Sequence, residues 1–164
     1  MKPDFQIIGI TAEGLLPVYQ WYRAGQGTYF LVDPHNKSLF ISYEGIVRYF
    51  ERKFFVYEYF ILQKGKEQGL LRMLPDSNNL GILFDVWLEK FSAEILWHLA
   101  EFLKNHWLVQ RCFHKIETRV IFEKEYLEIY KKAGFRTESI MREEVFYNGK
   151  YFDVETLACR ANHA

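Results

Sequence analysis

The chain has 164 residues, 49% apolar and 18% aromatic, which is enough to bury a core and too apolar for wholesale disorder. Its 21 Lys and Arg residues balance 21 Asp and Glu residues, so there is no electrostatic footprint for nucleic acid or an anionic membrane. No apolar run reaches the roughly 18 residues that cross a bilayer, the MKPDFQ start lacks a signal-peptide core, and Cys112 and Cys159 make no disulfide framework; together these features predict a cytoplasmic setting.

In chain order, Phe5–Ile8 predicts a first strand, and Thr11 is placed to cap a helix carrying Leu15, Leu16, Val18, Tyr19 and Tyr22 that ends at Ala24-Gly25. Gly25–Lys37, with its glycines, Pro34 and Asn36, predicts a loop. Ser42 opens a second helix with Ile46, Tyr49 and Phe50 on one face. Two strands follow at Phe55–Gln63 and Gly69–Leu74, divided by the turn Lys64-Gly65-Lys66, and Tyr57, Tyr59, Phe54, Phe55 and Phe60 are expected to pack there as ordinary strand aromatics. Pro75–Asn79 predicts another turn, and Leu80–Val86 a short buried strand.

The clearest helix repeats Phe91, Ile95, Leu99, Phe102 and Leu103, with Ser92 near its start. His114–Phe122 returns to strand, placing Ile116, Thr118, Val120 and Phe122 on one side. Glu125–Ala133 is a helix that Gly134 stops, because a glycine takes the left-handed cap position without steric cost. Phe135–Tyr147 and Lys150–Cys159 flank Asn148-Gly149, a strong two-residue hairpin signal. The order β-α-α-β-β-β-α-β-α-β-β contains no repeat and no linker, which predicts a single domain over 1–164.

The run Tyr130-Lys-Lys-Ala-Gly-Phe135, then Arg142, Tyr147-Asn-Gly-Lys-Tyr151 and Asp153, resembles the C-terminal end of the GNAT N-acetyltransferases. It is most similar to the Rim-type branch, which includes ribosomal-protein N-terminal acetyltransferases and relatives acting on antibiotics, polyamines and amino sugars. Trp21 after the first helix, and strand 80–86 leading into helix 91–105, also fit. The resemblance spans roughly residues 5–158 and is dense after Glu117. It implies an α/β (α+β) acyl-CoA N-acyltransferase fold, with a mixed, mostly antiparallel sheet of 6–7 strands flanked by about four helices.

The resemblance further implies acetyl transfer from acetyl-CoA to a primary amine, by direct attack in a ternary complex. The thioester would lie against strand 80–86, with Phe84, Asp85 and Val86 nearest the acyl group. The pyrophosphate would sit at the start of the following helix, at Lys90, Phe91, Ser92 and Ala93, where backbone N–H groups and the helix dipole favour anions. Here the chain departs from the family: Lys90 stands where the first glycine of the phosphate loop belongs, and Glu89 adds a negative charge beside it. Glu94 matches a frequent family glutamate. Glu123 replaces the asparagine that contacts the cofactor seven residues before the tyrosine. Tyr130 matches the tyrosine that protonates the departing thiolate. For the base, Asp85, Glu143-Glu144, Glu44 and an ordered water all stay open.

No metal is expected: His98, His106 and His114 lack ligand spacing, and Cys112-x-His114 on one strand face supplies two ligands only. Glu94 and His98 form an i,i+4 pair suited to a helix-surface hydrogen bond. The acceptor is expected between the first two helices and the final hairpin, as a small amine or a peptide N-terminus, and the aromatic surplus allows a homodimer. The alternatives are a GNAT-fold binding or assembly module without catalysis, favoured by the altered phosphate loop and Glu123, and an acyltransferase using a different donor.

Overall fold

The computed structural model describes residues 5–11, 14–24, 42–51, 57–75, 81–122, 124–147 and 149–161. The expected loop at Gly25–Lys37, turn residues 76–79, Phe54, Phe55, Glu123 and Asn148 lie outside the described residues, as do the side chains of Tyr22, Tyr49, Phe50, Tyr57 and Tyr147. The strands are β1 (Phe5–Gly9), β2 (Tyr57–Gln63), β3 (Lys66–Pro75), β4 (Gly81–Leu88), β5 (Lys115–Val120), β6 (Arg136–Tyr147) and β7 (Lys150–Arg160). The helices among the described residues are α1 (Leu16–Arg23), α2 (Tyr43–Glu51), α3 (Ala93–Lys104) and α4 (Glu125–Lys132).

The seven strands form one sheet in the order β1-β2-β3-β4-β5-β7-β6. β4 and β5 pair in parallel from Gly81↔Lys115 to Phe84↔Thr118, which the intervening α3 makes possible as a crossover. The pairs β1–β2, β2–β3, β5–β7 and β6–β7 are antiparallel. This is the mixed sheet expected from the sequence.

The chain gathers into two compact units. The described residues of 5–73 and 85–91 form one, and those of 74–84 and 92–161 form the other. In the first unit, Leu15 just ahead of α1, Val18 and Trp21 from α1, and Ile46 from α2 bury against Phe60, Leu62, Leu70 and Trp87. The Trp21 ring meets Trp87 at 5.0 Å and Phe60 at 6.2 Å, both edge-on, and Tyr19 meets Tyr43 at 5.8 Å to join the two helices. Ser42 caps α2 as expected, its Oγ accepting from the Gly45 N–H at 3.1 Å. Thr11 is not a cap: its carbonyl accepts from the Gly14 N–H in a turn, and α1 begins only at Leu16, with Pro17 in its first turn where a missing N–H costs nothing.

Gly69 permits a close backbone approach in this unit. A β-carbon there would lie 2.1 Å from the Trp87 carbonyl oxygen and 3.0 Å from the Leu88 Cα, atoms that move only with β4 itself. Gly69→Ala is therefore expected to cost about 2–3 kcal/mol through overpacking. At roughly 2–4 °C per kcal/mol for a chain of this size, thermal unfolding should occur about 5–10 °C lower. A midpoint within about 2 °C of wild type would contradict the close approach.

In the second unit, α3 buries Ile95, Leu96, Leu99, Ala100 and Leu103, and α4 buries Tyr126 and Tyr130. Lys104 ties the two helices together, donating to the Ala133 carbonyl at 2.5 Å and to Glu101 Oε1 at 2.7 Å. Beyond Lys104 the chain continues as a π-helical segment, Asn105–Gln110, which holds Trp107 edge-on to Phe113 at 4.9 Å. Cys112 follows at φ 57°, before β5 begins, so the expected alternation of Cys112 and His114 on one strand face does not occur.

Candidate active site

Tyr130 is placed by the way α4 ends. The Phe135 N–H donates to the Tyr130 carbonyl and the Gly134 N–H to the Lys131 carbonyl, both at 3.0 Å, with Gly134 at φ 91°. These two bonds and the left-handed glycine are the Schellman arrangement, whose usual companion is an apolar contact between the residues it brings together. Here that contact is Phe135 on Tyr130, ring centroids 5.6 Å apart. Phe84, arriving on β4, meets both rings at 5.8 Å. Tyr130, Phe84 and Phe135 are 1–2% exposed, so the phenol stands in apolar surroundings. The structure thus brings together two of the residues singled out from the sequence, Phe84 and Tyr130.

At the start of α3, Ser92 takes an extended conformation and its Oγ accepts from the Ile95 N–H at 3.3 Å. Its carbonyl accepts from Leu96 at 3.0 Å. A helix leaves its first N–H groups without partners inside the helix, and with Ile95 occupied by the cap, those of Ala93 and Glu94 head the open first turn. Ala93 and Glu94 are exposed. In the other unit, Val86 is half-buried, Glu89 and Lys90 are exposed, and Phe91 is 46% exposed. The Glu89 N–H donates to the Gln68 carbonyl at 2.8 Å, which fixes the loop backbone to β3.

The candidate carboxylates occupy different places. Asp85 is buried, and its Oδ2 accepts from Arg72 Nη2 at 3.0 Å. Arg72 is a residue the sequence reading missed, since only strand pairing brings β3 and β4 together. Glu44 is exposed in the first turn of α2, where its own backbone N–H and the Ser42 hydroxyl hold its carboxyl below the usual range. Glu143 and Glu144 are exposed on β6. Sheet order puts β5 and β7 between β6 and β4, so these two stand three strand spacings, about 14 Å, from Phe84's strand. Glu143 belongs instead to a bulge: it sits at φ 51°, and its N–H donates to Asp153 Oδ1 at 3.0 Å. Asp153 also accepts from Arg142 at 2.6 Å. The Glu143 N–H, then Arg142, hold the Asp153 carboxyl below its ordinary range. Arg142 and Asp153, both read from the motif, are therefore partners in the hairpin.

His98 packs edge-on against Trp97 at 4.8 Å, and His106 lies within reach of Gln110 at 3.2 Å. No group of three metal-ligating side chains occurs among the described residues, and none of their helices is long and apolar enough to cross a membrane.

No protein-family model and no curated protein matches the chain. Solved structures do match it. A variant of the spermidine N-acetyltransferase SpeG from Vibrio cholerae superposes with a TM-score of 0.78 at 14% identity, over 96% of this chain and 94% of its own. RimL, the ribosomal L7/L12 alpha-N-protein acetyltransferase, in complex with coenzyme A, gives 0.78 at 13% identity over 98% and 96%. A chimera of SpeG from Vibrio cholerae and hSSAT gives 0.77 at 16% over 96% and 95%. The chain has the GNAT acetyltransferase fold that its last third suggested.

Proposed function

We propose that this protein is an acetyl-CoA-dependent N-acetyltransferase acting on a primary amine. The observation that carries the reading is the Tyr130 phenol, held against Phe84 at the end of the parallel β4–β5 ladder by the α4 stop at Gly134-Phe135. That is the place in this fold where the sequence motif puts a general acid. The amine nitrogen attacks the thioester carbonyl, the carbon–sulfur bond breaks, and Tyr130 delivers its proton to the thiolate. The ammonium proton leaves to ordered water, one of the routes the sequence left open.

The CoA phosphates fit the first turn of α3. The Ala93 and Glu94 N–H groups and the positive end of the helix dipole meet them. SpeG and RimL suggest the first acceptors to try, spermidine and a peptide N-terminus. The site sets the acceptor independently of the fold, so these are starting points for a panel of amines.

Titration calorimetry tests the reading. Acetyl-CoA is expected to bind with a Kd between about 1 µM and 1 mM, the range in which enzymes commonly hold their substrates. Absence of binding at millimolar acetyl-CoA would sink the enzyme and leave the fold serving as a binding or assembly module.

A further inference from the structure

Thr118 lies on the last recorded rung of the β4–β5 ladder, directly across from Phe84, and it pairs with Leu157 of β7 on its other side. Partners in register on adjacent strands point their side chains to the same face. Thr118 therefore projects to the face on which Phe84 meets Tyr130. It is 1% exposed, and its Oγ1 has no hydrogen-bond partner among the described residues. A buried hydroxyl left in that state costs about 1–3 kcal/mol, which is why such groups in folded proteins nearly always have a partner. Valine has the same shape and would fill the position without that cost.

We propose that Thr118 is a further binding residue of this site, whose hydroxyl donates a hydrogen bond to the thioester end of the bound acetyl-CoA. The inference rests on the function proposed above and extends it. Bound at the end of the ladder, the thioester presents a carbonyl oxygen, an acceptor, beside a hydroxyl that lacks one. The unpaired state is then that of the protein without substrate, and the hydroxyl is satisfied when substrate enters. Position on β5 makes Thr118 a fixed reference point, since a β-branched side chain in a paired strand has few rotamers to choose from.

Calorimetry on Thr118→Val and Thr118→Ser decides it, with acetyl-CoA and adenosine 3′,5′-bisphosphate as probes. The bisphosphate carries the phosphates of CoA but no pantetheine arm. Thr118→Val is expected to weaken acetyl-CoA about tenfold and leave the bisphosphate unchanged. Thr118→Ser, which keeps the hydroxyl, should stay within about threefold for both. The ligand-free valine variant should unfold at the wild-type temperature or a few degrees higher, because an unpaired buried hydroxyl has been removed. Wild-type affinity for acetyl-CoA in the valine variant overturns the inference while leaving the proposed function standing. Equal weakening of both probes overturns it too, since the effect then does not reside at the thioester. A wild-type protein that binds neither probe overturns the function and this inference together.

Discussion

Tyr130→Phe should lower the rate of acetyl transfer about 100- to 1,000-fold and leave the affinity for acetyl-CoA within about twofold. The factor is what a positioned acid commonly contributes, and corresponds to about 2.7–4.1 kcal/mol in the barrier. The split between rate and affinity follows from the geometry. Phenylalanine keeps the ring that packs against Phe84 and Phe135, so the cluster and the α4 stop survive. The substitution removes only the oxygen, whose proton matters once the carbon–sulfur bond is breaking. The measurement is thiol release with any amine from the acceptor panel on which the wild type turns over, beside a calorimetric Kd. An unchanged rate removes Tyr130 as the acid. A rate and an affinity that fall together would make the phenol a binding group.

Arg72→Met should destabilise the protein by about 3–5 kcal/mol, the usual cost of removing one partner from a buried ion pair. The side chains of Arg72 and Asp85 are only 10% and 12% exposed, and their contact is 3.0 Å. Removing the guanidinium takes a charged donor from a carboxylate in the sheet interior, where little water replaces it. Since a domain is stable by only about 5–15 kcal/mol, the loss is a large share of the total. At roughly 2–4 °C per kcal/mol, the thermal midpoint should drop by about 6–20 °C. The double variant Arg72→Met with Asp85→Leu should recover most of it, because two apolar residues leave no unpaired charge. Thermal and urea unfolding of the two variants make the comparison. A single variant within about 1 kcal/mol of wild type would show that the pair is solvated.

Gly134 shows how far local chemistry carries. From the sequence it marks the end of a helix; in the structure the same glycine, at φ 91°, turns Phe135 back onto Tyr130 and so places the candidate acid. Ser42, read as opening a helix, and Ser92, read as lying near the start of another, both cap those helices in the structure. Thr11 failed as a cap because a serine, threonine or asparagine ahead of an apolar repeat marks a start only to within several residues, and here the chain makes a turn before α1. The π-helical segment after Lys104 was not legible either. No glycine or proline signals it, and it is held by contacts such as Trp107 on Phe113.

What the sequence determined by itself is what depends on neighbours a few residues apart. The order of strands and helices, the helix stop and the hairpin follow from periodicity and turn chemistry, and the resemblance of the last third supplied the GNAT fold. Tertiary structure decided what strand pairing brings together. It set Arg72 against Asp85, Gly69 beneath the Trp87 carbonyl, Asp153 in the bulge at Glu143, and Thr118 across from Phe84. Each of these depends on register between segments far apart in the chain. A shift of one residue would turn every side chain of a strand to the opposite face, and no local pattern records which register is adopted.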